Sequence, residues 1–147
     1  MSEPQVMSVD HAAYSVRERV AARCVVRVAR ILAKRPPRQL RTVVAMLGRG
    51  ARPATYDEVS RARSAVVNAN WLCAGPKGCL PRSIATVLLC RLRGTVPTWC
   101  VGVRALPPFG AHAWVAAEGR DVDEPFPPGY HHILISVGPA TKERTMP

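Results

Sequence analysis

Aromatic side chains are scarce in this sequence, at 5% of its 147 residues, and long apolar runs are missing. No stretch of about 18 apolar residues occurs, so no transmembrane helix is predicted. Few aromatic residues leave no stacking platform for bases, and no basic recognition helix stands out, which argues against a nucleic-acid-binding module. The N-terminus lacks a basic region followed by an apolar stretch, so no secretory signal is visible and a cytoplasmic location is expected.

Paired metal-binding cysteines are also missing. The five cysteines include no C-x-x-C pair; they are Cys24, Cys73, Cys79, Cys90 and Cys100. Without a visible secretory signal, this odd number predicts reduced thiols instead of disulfides. Most of them are expected to be small buried apolar residues, and no spaced ligand set predicts a metal or another cofactor.

Positive charge is what the sequence has in excess. Of its 21 cations, 18 are arginine, and the formal net charge is +11. Residues 1–70 carry 13 cations and 5 anions, whereas residues 71–147 carry 8 cations and 5 anions, so the excess lies mainly in the first half. A charge of this size indicates an acidic partner, which is a nucleic acid, a membrane surface or an acidic polypeptide.

The N-terminal half of the chain has the apolar spacing of helices. A long helix is predicted over residues 8–34, followed by helices over residues 39–47 and from the capping pattern at Thr55 to about Leu72. A fourth apolar helix is predicted over residues 80–93, after a glycine-containing loop. The apolar stripe expected to be buried on the first helix is Val16, Val20, Cys24, Val28 and Ile31, widened by Ala21, Val25 and Leu32.

After Gly94 the pattern changes to short strands bounded by glycine or proline. Strands are predicted over residues 98–104, 111–117, 120–124 and 131–137. Helices followed by strands predict an α+β domain with an antiparallel sheet packed on helices. The length fits a single domain over residues 1–147, with a helical segment over residues 1–72, a helix-and-strand segment over residues 73–137 and a tail over residues 138–147.

Cys79 differs from the other cysteines because it lies where a glycine-containing loop becomes a helix. The unpaired N–H groups and the positive dipole at a helix N-terminus favour a thiolate, which is the nucleophilic form of cysteine. From this local feature alone, a buried structural cysteine is the favoured interpretation, so a second feature is needed.

His112 supplies that feature, since it begins a strand of a predicted hairpin whose second strand ends in Asp123 and Glu124. A three-residue turn pairs Ala116 with Arg120 and places His112 directly opposite Glu124 on one face of the sheet. A two-residue turn instead makes Asp123 the diagonal neighbour of His112. The Glu-Gly sequence of the turn fits the three-residue form better, so Glu124 is favoured as the carboxylate beside the imidazole.

A thiol at a helix N-terminus, a histidine on a sheet and a neighbouring carboxylate form a Cys–His–acid set. In that set His112 takes the thiol proton, Cys79 attacks a carbonyl carbon, and His112 then protonates the leaving amine before water hydrolyses the acyl-enzyme. The backbone N–H of Cys79 is a candidate oxyanion donor. Two nearby residues are weaker substrate-binding candidates. Arg82 is equally well explained as a solvated or ion-paired side chain, and Trp114 as a core residue beneath the site.

Six short stretches carry a recognisable combination of residues: Gly78-Cys79-Leu80-Pro81-Arg82-Ser83, Leu89-Cys90-Arg91-Leu92-Arg93-Gly94, Trp99-Cys100-Val101-Gly102-Val103-Arg104, Pro108-Phe109, Ala111-His112-Ala113-Trp114-Val115 and Asp123-Glu124-Pro125. Together they closely resemble the lasso-peptide leader peptidases, which are transglutaminase-like cysteine peptidases. The resemblance is densest over residues 73–137. It implies a transglutaminase-like or papain-like core, with N-terminal helices followed by a nucleophile helix and an antiparallel sheet.

The resemblance also implies roles for individual residues. The nucleophile position of the family falls on Cys79, its base on His112 and its acid on Glu124. Asp123 stays an alternative because many related enzymes have aspartate as the third member. Position 81 is often a polar residue in this family, and here it is Pro81, so any polar contribution from that side chain is lost.

The function implied by the resemblance is removal of the leader from a ribosomally made precursor, so that a lasso cyclase can close the macrolactam during antibiotic biosynthesis. In many such systems a separate leader-recognition protein captures the leader and delivers it to the peptidase. The length leaves no room for that module, so a discrete peptidase with a separate partner is expected. The arginine-rich face of the first helix is the expected docking surface for the recognition protein or for an acidic leader segment.

Three other functions stay open from the sequence. A catalytically idle adaptor would keep the fold and bind the precursor peptide, with an unreactive Cys79. A nucleic-acid-binding module would explain the +11 charge and would show strongly salt-dependent affinity. Acyl transfer would use the same Cys–His chemistry as hydrolysis and would differ only in its product.

Overall fold

A computed structural model describes residues 14–75 and 77–139 of the protein. Its helices are α1 (Val16–Leu32), α2 (Pro37–Leu47), α3 (Tyr56–Ala69), α4 (Trp71–Ala74) and α5 (Cys79–Leu92). Its strands are β1 (Arg52–Pro53), β2 (Thr95–Val96), β3 (Thr98–Arg104), β4 (Ala111–Ala117), β5 (Arg120–Asp121) and β6 (His131–Val137). The predicted start of the first helix at residue 8 and residues 140–147 of the predicted tail lie outside the described residues. The prediction of helix at residues 14–15 is wrong, because the side chain of Ser15 caps α1 and the helix begins at Val16.

The predicted α+β architecture is confirmed. Four strands form an antiparallel sheet in the order β5-β4-β3-β6. Helix α5 packs on one face of this sheet, where Val115 of β4 joins the buried cluster that contains Ile84 and Leu89 of α5. Helices α1 and α3 also pack against α5, and α3 reaches β4. None of the helices in the described residues is long and apolar enough to span a membrane.

The helix boundaries follow from capping side chains. The Thr55 hydroxyl accepts a hydrogen bond from the N–H of Glu58 at 3.2 Å, as the capping pattern predicts. Helix α3 ends at Ala69, before the predicted Leu72, because Asn70 adopts an extended backbone with φ −152° and ψ 124°. The Asn70 side chain then caps α4 through the N–H of Leu72 at 2.8 Å.

The predicted central stripe of α1 is wrong, whereas the residues predicted to widen it are buried (Val25) or half-buried (Ala21 and Leu32). The residues that α1 buries are Ala22, Val25, Val26 and Ala29, whereas Val16 and Ile31 are 74% and 62% exposed and Val20, Cys24 and Val28 are also exposed. The helix carries two apolar stripes, and the one with alanines packs against α3 and α5 because small side chains allow close helix approach. An apolar stripe on α1 therefore faces solvent.

The three-residue turn favoured for the β4–β5 hairpin is wrong, and the two-residue alternative is present. Ala117 pairs with Arg120, so the turn has two residues, and both Glu118 and Gly119 have positive φ, at 54° and 75°. This is the type I′ geometry, whose twist matches that of the flanking strands. The strand β5 ends at Asp121 instead of the predicted residue 124, and one further backbone hydrogen bond, from Val122 to the carbonyl of Val115, ties the chain to β4.

A short parallel pair between β1 and β2 was not predicted. Arg52 pairs with Thr95, and the N–H groups of Arg52 and Ala54 donate to the carbonyls of Gly94 and Val96. Two-residue strands carry too little periodicity to be recognised in a sequence. This pairing ties the segment between α2 and α3 to the chain that leads into the sheet.

Candidate active site

Cys79 is the first residue of α5, as the sequence predicts. Gly78 precedes it and offers no side-chain acceptor to cap the helix, so the positive end of α5 favours a negative charge near Cys79. A Cβ atom at position 78 would lie 1.9 Å from the carbonyl oxygen of Leu72, so only glycine allows α4 to pack this closely. Pro81 lies in the first turn of α5, where a proline needs no hydrogen-bond donor.

His112 lies between Cys79 and Glu124. Its Nε2 atom is 2.8 Å from Oε2 of Glu124, and its interaction with the thiol of Cys79 raises the pKa of the ring. Because Glu124 occupies Nε2, the nitrogen that remains for the thiol is Nδ1. The side chains of His112 and Glu124 are only 15% and 6% exposed, which shields both contacts from water.

Glu124 and Asp123 have different partners. The contact predicted between His112 and Glu124 is present, although the turn that it was derived from is not. Val122 still donates to the carbonyl of Val115 on β4, and the left-handed backbone of Asp123, with φ 51°, then redirects the chain so that Glu124 reaches His112. The Asp123 carboxylate instead accepts hydrogen bonds from Ser60 and, at 3.3 Å, from Tyr56 on α3.

The electrostatics of the site favour an ion pair between thiol and imidazole. Burial opposes both charged forms, but the hydrogen bond with His112 and the Ala113 backbone lower the pKa of Cys79, with help from the charges of His112 and Arg82. Burial also opposes protonation of His112, yet Cys79 and Glu124 raise the pKa of that imidazole to about 9. Both shifts therefore favour a thiolate paired with an imidazolium, as cysteine nucleophiles require.

Comparison with known proteins agrees with this arrangement. The sequence profile of the transglutaminase-like superfamily matches residues 21–134, which include Cys79, His112 and Glu124. The chain belongs to the transglutaminase-like superfamily. No curated protein and no solved structure gives a significant match. The superfamily includes cysteine peptidases and transglutaminases, and both kinds of enzyme use a cysteine nucleophile.

Aromatic rings surround the imidazole in this transglutaminase-like site. Trp114 stacks on His112 with centroids 5.7 Å apart, and its indole N–H donates to Asp121 at 2.9 Å. The ring of His131 lies 4.8 Å from that of His112, and Phe126 meets both histidines edge-on. Trp114 is buried, in agreement with a core position, and a contact between Trp114 and substrate stays a prediction.

His131 was not predicted to lie at the site. Its position at the start of β6 gave no indication, because β3 lies between β6 and the strand that carries His112. Burial and the nearby charge of His112 lower the pKa of His131, so a neutral ring is favoured there. Within residues 14–75 and 77–139, no group of three His, Cys, Asp or Glu side chains could hold a metal ion.

Two buried arginines lie close to the site. Arg82 is buried, and its Nη1 atom donates to the Cys73 carbonyl at 2.8 Å, so the expectation of a solvated or carboxylate-paired side chain is wrong. A contact between Arg82 and substrate stays a prediction. Arg63 on α3 was missed, although it follows Ala62 within the stripe that buries Val59 and Val66. A cation within an apolar helix stripe can be recognised in a sequence, and it indicates a buried charge.

The other cysteines have environments unlike that of Cys79. Burial raises the pKa of Cys73, and it raises the pKa values of Cys90 and Cys100 to about 11. These three are buried, as predicted, whereas Cys24 is exposed on α1. A thiol that is both buried and held as the neutral form reacts slowly with electrophiles.

These environments predict the order of thiol alkylation. In a Cys24→Ser background, which removes the exposed thiol, iodoacetamide at pH 7 is expected to modify Cys79 at least about tenfold faster than Cys73, Cys90 or Cys100, because only Cys79 has a lowered pKa. Peptide mapping by mass spectrometry measures the rates. Equal labelling of all four thiols would contradict the ion pair and would favour the idle adaptor.

Proposed function

We propose that this protein is a cysteine peptidase. The observation that carries the proposal is the 2.8 Å contact of His112 Nε2 with Glu124, on an imidazole that also interacts with Cys79. A nucleophile, a base and an orienting carboxylate in this order are what acyl transfer from a peptide bond requires. The lowered pKa of Cys79 supports the same chemistry.

The residues would act in two stages. The Cys79 thiolate forms a bond to the carbonyl carbon of the scissile peptide, and the oxyanion is met by the Cys79 backbone N–H at the positive end of α5. The imidazolium of His112 gives its proton to the leaving amine, and the C–N bond breaks to leave a thioester. Neutral His112 then takes a proton from water as water attacks the thioester, and the thiolate leaves.

We further propose that the peptide cleaved is the leader of a ribosomally made lasso-peptide precursor, and that cleavage prepares the core for a lasso cyclase. The support is the six-stretch resemblance around Cys79, His112 and Glu124. A separate leader-recognition protein would deliver the precursor. In this function the acceptor of the acyl group is water. In acyl transfer, which the superfamily also allows, the acceptor is an amine.

The exposed stripe of α1 supports a docking surface for that recognition protein. The docking stripe consists of Val16, Val20, Cys24, Val28 and Ile31, all exposed, with exposed Arg17, Arg23, Arg27 and Arg30 on or beside it. Apolar side chains in a row on a soluble helix mark an interaction site. The surrounding guanidinium groups favour a partner surface that is apolar at its centre and acidic at its rim.

Substitutions in the docking stripe are expected to weaken partner binding without touching the chemistry. Val20→Asp combined with Arg27→Glu should lower the affinity for the recognition protein at least about tenfold, because apolar burial is lost and complementary charges become like charges. Isothermal titration measures the affinity, and Cys79 alkylation should stay unchanged. The matched control is Leu134→Asp with Arg49→Glu, since both residues are exposed outside α1.

Unchanged partner affinity in the docking-stripe variant would overturn the docking surface. If the variant instead loses affinity for the isolated leader peptide and keeps affinity for the recognition protein, the stripe binds the leader, and the proposed occupant is wrong.

The experiment for the function is a reconstituted cleavage reaction read by mass spectrometry. Precursor is incubated with this protein, with and without the recognition protein, in water enriched in oxygen-18. The proposal predicts separate leader and core peptides, with one heavy oxygen at the leader C-terminus. Transfer to an added amine without heavy oxygen would indicate an acyltransferase, and an intact precursor would indicate the idle adaptor.

A further inference from the structure

Arg63 is a buried cation on α3 that faces the second oxygen of Glu124. Its Nη2 atom lies 3.7 Å from Oε1 of Glu124, whereas His112 contacts Oε2. The side chains of Arg63 and Glu124 are only 7% and 6% exposed. Glu124 is therefore held between two cationic groups in an environment that excludes most water.

Glu124 needs a cationic partner such as Arg63, because strand pairing does not fix the position of Glu124. The strand β5 ends at Asp121, and Glu124 lies three residues further, outside the sheet ladder. The helix α3 holds this segment instead: Tyr56 and Ser60 donate to the Asp123 carboxylate, and Arg63 faces Glu124. These three side chains are four and three residues apart, so they share one face of α3.

A cation at position 63 is costly unless it is paired. Burial lowers the pKa of Arg63, and the charge of Arg82 lowers it further, whereas Glu124 and Asp123 raise it. Two buried guanidinium groups thus repel each other beside two anions, the carboxylate of Glu124 and the thiolate of Cys79. Arg82 stabilises the thiolate by its charge, and Arg63 is placed to do the same for the carboxylate.

We propose that Arg63 is a positioning residue, which holds the Glu124 carboxylate with Oε2 on Nε2 of His112, so that Nδ1 of the imidazole faces Cys79. The inference rests on the Cys–His–acid set of the proposed function, but it does not depend on which peptide is cleaved. Through Arg63, the helical half of the chain would help to position the catalytic carboxylate.

The test follows the pH dependence of Cys79 alkylation in the full-length Cys24→Ser protein, with iodoacetamide as the probe. Arg63→Met is expected to move the midpoint of alkylation up by about one pH unit, because a misplaced carboxylate no longer supports the imidazolium that stabilises the thiolate. Glu124→Gln should move it in the same direction. The double variant should show no further shift beyond Glu124→Gln, since Arg63 acts through Glu124.

The matched control is Arg61→Met, which removes the same charge from the exposed side of α3, where Arg61 is paired with Glu18. It should leave the midpoint unchanged. If Arg63→Met does not fold, Arg63→Lys keeps the charge without the fork of donors and should give a smaller upward shift. The double variant can also be tested, because removing both partners of the buried pair leaves no unpaired charge in the interior.

An unchanged midpoint of Cys79 alkylation in the folded Arg63 variants would overturn the proposal. A downward shift of that midpoint would also overturn it, because it would mean that Arg63 only competes with His112 for the Glu124 carboxylate. A shift in the double variant equal to the sum of the two single shifts would also overturn it. Alkylation needs no peptide, so these outcomes are separate from the cleavage reaction. If cleavage fails but the Arg63 shift appears, the peptidase function is wrong and the positioning role stands.

Discussion

Replacing Cys79 with alanine is expected to lower kcat/KM for leader cleavage at least about 10⁴-fold, because the acyl-enzyme cannot form without the thiolate. The rate is measured by mass spectrometry of precursor and core in the presence of the recognition protein. His112→Ala should cause a loss of similar size, and combining the two changes should add little, since the two groups act as a unit.

The matched control for Cys79 is Cys90→Ala, which removes a thiol from the same helix. Cys90 is buried near the end of α5, and burial raises the pKa of its thiol to about 11, so no catalytic contribution is expected from it. Cleavage per folded molecule should stay near the wild-type value. Persistent cleavage by purified Cys79→Ala would rule out Cys79 as the nucleophile.

Glu124→Gln is expected to lower kcat by about 10²–10⁴-fold with a smaller effect on KM. Arg63 faces Oε1, so the amide oxygen of a glutamine is favoured there and its NH₂ group then faces Nε2 of His112. That arrangement holds the proton on Nδ1, the nitrogen that must accept the thiol proton. Steady-state kinetics of precursor cleavage separate kcat from KM.

The same variant should change the pH profile of cleavage. Activity requires the thiolate and the imidazolium together, so it is present above the lowered pKa of Cys79 and is lost as pH rises through the His112 pKa of about 9. A carboxylate partner raises the pKa of an imidazole, so its removal moves this alkaline limb to lower pH. An alkaline limb that stays near the His112 pKa of about 9 would show that Glu124 does not act on His112.

Asp123→Asn is the matched control for Glu124→Gln, with the same loss of one charge at the neighbouring position. Asp123 contacts Tyr56 and Ser60 instead of His112, so kcat should change less than about tenfold and the alkaline limb should not move. If Asp123→Asn is the more damaging of the two, the assignment of the acid to Glu124 is wrong.

Strong local periodicity made the sheet and the nucleophile helix predictable. The strands over residues 98–104, 111–117 and 131–137 are as predicted, because each has β-branched or aromatic residues bounded by glycine or proline. The start of α5 at Cys79 followed from the preceding glycine-containing loop. The buried face of α1 could not be predicted, because the helix has two apolar stripes and only tertiary packing chooses between them.

The sequence predicts a residue of the site only where a local feature of the chain identifies that residue. Cys79 at a helix start and His112 at a strand start are local features. The contact of Glu124 with His112 depends on how the chain leaves the sheet after Val122, and no strand register describes that path. Arg63 and His131 come from elements distant in sequence, so their approach to the site is a property of the fold.

In the proposed reaction, Cys79 is activated by His112 and attacks the leader peptide. The most direct measurement uses a leader peptide whose C-terminus carries a vinyl sulfone, incubated with the protein and the recognition protein and mapped by mass spectrometry. A single thioether on Cys79, absent in His112→Ala, is the expected result. Labelling of another cysteine in preference to Cys79, or no labelling at all, would contradict this account.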